Sequence, residues 1–128
     1  MTKHNILIVD DSATTRMMVK RILTLCGIAN ENISEAADGS QALARLVACP
    51  VDLVIADLHM PNMGGLELTT RILASSTLRH IPVVIVSADP NADRIDQLKQ
   101  SGVKGYLAKP FTPESFKMLL MQVLPEAA

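Results

Sequence analysis

Four places in this 128-residue chain carry residues able to do chemistry together: Asp10-Asp11, Asp57, Ser87 and Lys109. Each follows a short apolar run, respectively Ile6 to Val9, Leu53 to Ala56, Val83 to Val86 and Gly105 to Ala108. Runs of this length fit strands buried on both faces. In an open α/β sheet the carboxyl ends of parallel strands share one edge, and ligands bind there. Three carboxylates meeting at that edge repel one another, so a cation must offset them. Hard oxygen donors at a turn suit Mg²⁺, with Mn²⁺ as a substitute. A carboxylate nucleophile (Asp57), a divalent ion, an ammonium (Lys109) and a hydroxyl (Ser87) are the parts needed for phosphoryl transfer to Asp57. The ion and Lys109 would neutralise charge on the equatorial oxygens. Taken singly, each residue also has an ordinary reading. Asp10 and Asp11 could be acids at a helix N-terminus, Lys109 a solvated turn lysine, and Ser87 a strand-end serine. Their coincidence at four strand ends favours the chemical reading.

The elements that must position these residues alternate strand and helix, five times over. Strand 1 is Ile6 to Val9, and Ser12 caps the helix after it. In that helix Met17, Met18, Ile22, Leu25 and Cys26 recur at helical spacing, and Gly27 ends it. Strand 2 lies near Ile33 to Ala36. After the Asp38-Gly39 turn, Ser40 is the expected cap of helix 2, whose stripe is Leu43, Leu46 and Val47 before Pro50. Strand 3 ends at Asp57, and Met60-Pro61 and Gly64-Gly65 turn the chain into helix 3, with Leu66, Leu68, Ile72 and Leu73. Strand 4 is Val83 to Val86, ending at Ser87. Helix 4 spans Asn91 to Gln100, with Ile95 and Leu98 inward. Strand 5 is Gly105 to Ala108. Thr112 caps helix 5, Pro113 takes its first position, and Phe116, Leu119, Leu120 and Val123 form its core stripe. Such alternation predicts a doubly wound, five-stranded parallel α/β sheet with five helices on its two faces and right-handed crossovers. It leaves the strand order open.

Composition narrows the function. Hydrophobic residues make up 48% of the chain, which excludes general disorder. Aromatics are 2%, and the net charge is -1 without a basic run, so neither base stacking nor a phosphate-backbone footprint is expected. No stretch reads as a signal peptide or membrane span, so the expectation is a cytoplasmic protein without nucleic-acid or membrane partners. Cys26 and Cys49 are expected to be buried thiols near helix ends.

The pieces Ile6-Leu7-Ile8-Val9-Asp10-Asp11-Ser12, Asp57-Leu58-His59-Met60-Pro61, Ser87-Ala88 and Lys109-Pro110-Phe111 resemble, in order and spacing, the receiver domain of two-component response regulators. The resemblance spans essentially residues 1–128, and its length matches the stand-alone chemotaxis type. It implies strand order 2-1-3-4-5. It further implies that Asp57 is the phosphoacceptor, that Asp11 and, through water, Asp10 bind Mg²⁺, and that the carbonyl of His59 is another ligand. Ser87 resembles the switch hydroxyl, Tyr106 the aromatic that turns inward behind it, and Lys109 the lysine of the site. Ser87 stands where Thr is commoner, and Gly64 where Asp is common. His59 and Asp89 fall at variable positions flanking the line of water attack, and are expected to set the lifetime of the phosphorylated state.

The implied function is a phosphorylation switch fed by a histidine kinase or histidine phosphotransfer protein and read by a downstream protein. The chain is expected to be a monomer or weak dimer, with an output face of helix 4, strand 5 and helix 5. On that face Tyr106, Met118 and Met121 are the expected contacts, since an outward Met pair is adaptable surface. With little after helix 5, no effector domain is expected; a phosphorelay shuttle or a receiver cut from a larger protein fits equally. A haloacid-dehalogenase-type phosphatase needs D-x-D after strand 1, but Asp10 and Asp11 are adjacent. A flavin carrier would place its phosphate against those carboxylates, which repel it.

Overall fold

The computed structural model describes residues 4–88 and 91–124. The strands are β1 (Ile6–Val9), β2 (Ile33–Ala36), β3 (Leu53–Asp57), β4 (Val83–Ser87) and β5 (Gly105–Ala108). The helices are α1 (Ala13–Leu25), α2 (Gly39–Ala48), α3 (Gly65–Ala74), α4 (Ala92–Gln100) and α5 (Pro113–Val123), with a 3₁₀ turn at Asn30–Asn32. All strand pairs are parallel, in the order β2-β1-β3-β4-β5. The order implied by the family resemblance is the one observed.

β1 and all but the last residues of β3 and β4 are apolar because both faces of these central strands are covered, whereas the edge strand β2 carries Ser34 and Glu35. Leu7, Val9, Val54, Ala56, Val83 and Ile85 pack against Ala42 and Leu46 of α2, Leu68 and Ile72 of α3, and Leu98 of α4. The alternate residues Ile6, Ile8, Leu53, Ile55, Val84 and Val86 pack against Val19, Ile22 and Leu23 of α1 and Phe116, Leu119 and Leu120 of α5. Burying one side chain of the size of Leu68 or Phe116 contributes about 1.5–3 kcal/mol, so these two layers set the register of the sheet.

The helix ends follow the expected chemistry at most positions. Ser12 accepts the Thr15 N–H, and Thr112 and Ser115 form a reciprocal box around Pro113. Gly27 and Gly102 take φ of +97° and +104°, the left-handed conformation that stops a helix. The cap of α2 differs from expectation. Asp38, not Ser40, accepts the Gln41 N–H, and Ser40 lies inside the first turn. Asp and Ser cap about equally well, so position relative to the turn decides.

Several apolar assignments are corrected. Met17, Met18 and Leu25 of α1 are exposed, as is Val47 of α2. The buried stripe of α1 runs through Val19, Ile22 and Leu23. Met17 and Met18 sit ahead of Val19 by two and one residues, which rotates them off that stripe. Cys49 is exposed at the end of α2, and Cys26 is only partly buried; both are free. Burial still pushes the Cys26 thiol above its ordinary pKa, against the nearby charge of Lys117.

Candidate functional site

The site is built where β1 and β3 end. Register pairs Val9 with Ala56, so Asp10 and Asp57 leave adjacent strands at the same level. Carboxylate oxygens of Asp10, Asp11 and Asp57 lie within 4.8 Å of one another. Asp10 is buried, Asp57 half-buried and Asp11 exposed, so the cluster opens to solvent on one side. Asp10 is fixed twice: Oδ1 accepts the Ser12 N–H at 2.8 Å, and its own N–H donates to Ala36. Asp57 Oδ1 accepts the Leu58 N–H at 2.8 Å.

Lys109 arrives from the end of β5, across β4. Its Nζ lies 3.3 Å from Asp10 Oδ2 and 3.6 Å from Asp57 Oδ2. One ammonium against three carboxylates leaves two negative charges. Arg16 does not close the gap: it donates to the Asp10 carbonyl oxygen, and its charge is paired with Glu35 at 2.9 Å. Unit charges about 4 Å apart interact by about 4 kcal/mol near a protein surface, so the residual repulsion is large enough to matter. The consequence appears at Asp57. Burial raises its carboxyl above the ordinary range; Lys109 pulls it down, while Asp10 and Asp11 push it up.

A hard divalent cation fits these residues. Three oxygen donors of one charge sign converge, one side is open to water, and the charge deficit has the right sign. Among the described residues this is the one cluster of that kind.

Ser87 is buried at the end of β4, paired with Ala108 of β5. Its carbonyl accepts the Lys109 N–H at 2.9 Å and faces the Tyr106 hydroxyl at 3.4 Å. The backbone of Ser87 thus touches both the site lysine and the aromatic of β5. Tyr106 is half-buried and packs on the layer of α2, α3 and α4. His59 is exposed on the loop after β3, and its Nε2 lies 3.5 Å from Arg94 Nη1 of α4. Asp89 lies outside the described residues, so its pairing with His59 is not a described contact. Met118 and Met121 are 64% and 47% exposed on α5, well away from the buried stripe.

Gly65 lets α3 begin directly behind the site. A Cβ there would collide with the Asp57 carbonyl oxygen and lie 2.9 Å from Ile85 Cδ1. Only glycine permits this close approach.

Sequence reasoning missed two residues beside the site. Arg16 reaches Glu35 across nineteen positions, a contact visible only once β2 lies beside β1. Asn62 is the one non-glycine residue described with positive φ, at 67°. Its type, between Pro61 and Gly64, was the available signal, since Asn tolerates that conformation.

Known proteins share this arrangement. The family model described as "Response regulator receiver domain" matches residues 6–120. The chemotaxis protein CheY of Pseudomonas aeruginosa is 40% identical over 112 residues, covering 88% of this chain and 89% of that protein. The chemotaxis protein CheY-3 of Vibrio cholerae is 40% identical over 118 residues, covering 92% and 89% respectively. Among solved structures, Vibrio cholerae CheY4 superposes with a TM-score of 0.85 at 32% identity, covering 96% of this chain and all of that one. A putative response regulator from Chloroflexus aurantiacus gives a TM-score of 0.89 at 27% identity, covering 97% and 99%. With motifs, strand order and relatives in agreement, the chain belongs to the response regulator receiver family, a signalling switch of phosphorylation-based two-component systems rather than a conventional enzyme.

Proposed function

We propose that Asp57 accepts a phosphoryl group and that the domain passes this charge change to the α4-β5-α5 face. The observation that carries the reading is the convergence of Asp10, Asp11 and Asp57 within 4.8 Å, with Lys109 between Asp10 and Asp57. Asp57 Oδ2 is the nucleophile, because Oδ1 is engaged by the Leu58 amide. Burial makes the carboxylate more basic and hence more nucleophilic, while Lys109 favours its ionised form. An oxygen lone pair attacks phosphorus of a phosphohistidine on a kinase or phosphotransfer protein. The new O–P bond forms as the P–N bond breaks, and the imidazole leaves with the electron pair.

Asp10, Asp11, Asp57 and the His59 carbonyl would hold Mg²⁺ or Mn²⁺, which supplies charge neutralisation for the transferring group. Lys109 then moves from the carboxylates towards a phosphoryl oxygen. The Ser87 hydroxyl follows the same charge. Because the Ser87 carbonyl faces the Tyr106 hydroxyl, displacement at Ser87 changes the seating of Tyr106. α4 is suited to respond. Leu98 is its only fully buried side chain among those described, and Ile95 is half-buried. Few buried apolar contacts mark an element of low local stability.

This reading places a single receiver domain in the cytoplasm as a monomer or weak dimer, with a protein target and neither nucleic acid nor membrane as partner. No helix among the described residues is long and apolar enough to cross a membrane. The chemotaxis relatives favour a chemotaxis-type target. The test is transfer from candidate histidine kinases in the presence of Mg²⁺, read by intact mass, with capture of proteins that bind only the phosphorylated form. No transfer from any kinase, or from acetyl phosphate, would overturn the reading.

Two expectations follow for the flanks. Met118→Gln with Met121→Gln should weaken target binding about tenfold while phosphorylation of Asp57 proceeds at the parent rate. Equal loss of both would show damage to the fold instead. His59 is exposed two residues beyond Asp57 and, with Asp89, should slow the approach of water to the phosphoryl group. His59→Ala should therefore speed decay severalfold. Slower decay would contradict shielding.

A further inference from the structure

Asp38 is a buried carboxylate outside the acidic cluster, and its two oxygens do different things. Oδ1 accepts the Gln41 N–H at 2.9 Å and caps α2. Oδ2 accepts Nδ2 of Asn62 at 2.9 Å, on the loop between β3 and α3. A cap needs only the first contact, and Ser or Asn would serve equally at less desolvation cost. The second oxygen therefore calls for another explanation.

Asn62 lies three residues after His59 and is held at φ 67°. The next residue is tied to the same partner segment, because the Gly39 N–H donates to the Met63 carbonyl at 3.0 Å. The two loops also meet closely. A Cβ at Gly39 would lie 2.6 Å from Met63 Cγ. At its base the loop is closed by the Gly65 N–H donating to the Leu58 carbonyl at 2.9 Å. His59, Met60 and Pro61 are thus suspended between two fixed points, the Leu58–Gly65 closure and the Asp38–Asn62 contact. The pair is electrostatically committed. The Gln41 amide, then Asn62, hold the Asp38 carboxyl below its ordinary range against the opposing effect of burial.

We propose that Asp38 is a positioning residue: through Asn62 it fixes the β3–α3 loop, and with it the His59 backbone, in the arrangement that binds a divalent cation at the Asp10-Asp11-Asp57 cluster. The inference rests on the cation site proposed above. Groups that orient metal ligands without touching the metal commonly change affinity by about 10- to 100-fold when removed. The substitutions can separate this role from ordinary stability. Asn62→Gly keeps the left-handed backbone and removes only the side-chain contact. Asp38→Ser keeps a cap for Gln41 but cannot reach Asn62.

The experiment is calorimetric titration of the full chain with Mg²⁺ alone, on the parent, Asn62→Gly, Asp38→Ser, their double variant and Asp11→Ala. Melting curves without metal show that each is folded. Asn62→Gly and Asp38→Ser should each weaken Mg²⁺ binding about tenfold. The double variant should bind no more weakly than the weaker single, because one contact serves both. Two singles within about twofold of the parent, with Asp11→Ala abolishing binding, would overturn the clamp while sparing the site. Losses that multiply in the double variant would overturn it too. Full binding by Asp11→Ala would overturn the cation site and the clamp together.

Discussion

Saturating Mg²⁺ should raise the melting temperature of the parent by on the order of 10 °C, and that of Asp11→Ala scarcely at all. A ligand at about 100 times its Kd stabilises the native state by about 2.7 kcal/mol, and about 1 kcal/mol moves the transition of a small domain by several degrees. Asp11 is the exposed member of the cluster, so its removal leaves the core intact. Without metal the variant should melt higher than the parent. Its charge opposes ionisation of Asp57, and nothing among the described cations compensates all three carboxylates. Metal-free and metal-loaded stabilities should therefore change in opposite directions. An unaltered Mg²⁺ shift in Asp11→Ala would remove that residue from the site.

Asp57→Asn should incorporate no phosphoryl group from acetyl phosphate or kinase, a loss limited only by detection, because a carboxamide lacks the anionic oxygen. The same variant should be more stable than the metal-free parent at neutral pH. The folded-state pKa of Asp57 is raised, chiefly by burial, so its ionised form is less favourable folded than unfolded. That destabilisation is complete above the raised folded-state value. It fades as pH falls through it and is gone below the unfolded value near 3.9. Melting curves across that range should converge on acidification. A variant less stable than the parent at neutral pH would mean that the Lys109 contact outweighs the burial of charge.

Much of the site was legible because parallel strands impose a common edge. Once Ile6 to Val9, Leu53 to Ala56, Val83 to Val86 and Gly105 to Ala108 were strands, Asp10, Asp57, Ser87 and Lys109 had to emerge together. Strand order was not legible in the pattern, since any order with the same connections has the same periodicity. It came from family resemblance. Helix phase was misread in α1 because Met17, Met18, Val19, Ile22, Leu23 and Leu25 populate more than one face, and spacing alone does not say which meets the sheet. The cap of α2 was misplaced by two residues for a related reason: Asp38 and Ser40 are both capable, and the distinction lies in where the turn ends. The Asp38–Asn62 contact joins residues twenty-four apart and exists only because β1 brings their loops onto one edge.

The central claim is that Asp57 itself carries the phosphoryl group. Borohydride reduces an aspartyl phosphate to homoserine, which marks the acceptor permanently. The chain should be phosphorylated with acetyl phosphate and Mg²⁺, reduced, cleaved and sequenced by mass spectrometry. The account predicts homoserine at position 57 alone, dependent on Mg²⁺. Homoserine at position 10, 11 or 38, or at no position in a protein that had gained the phosphoryl mass, would contradict it.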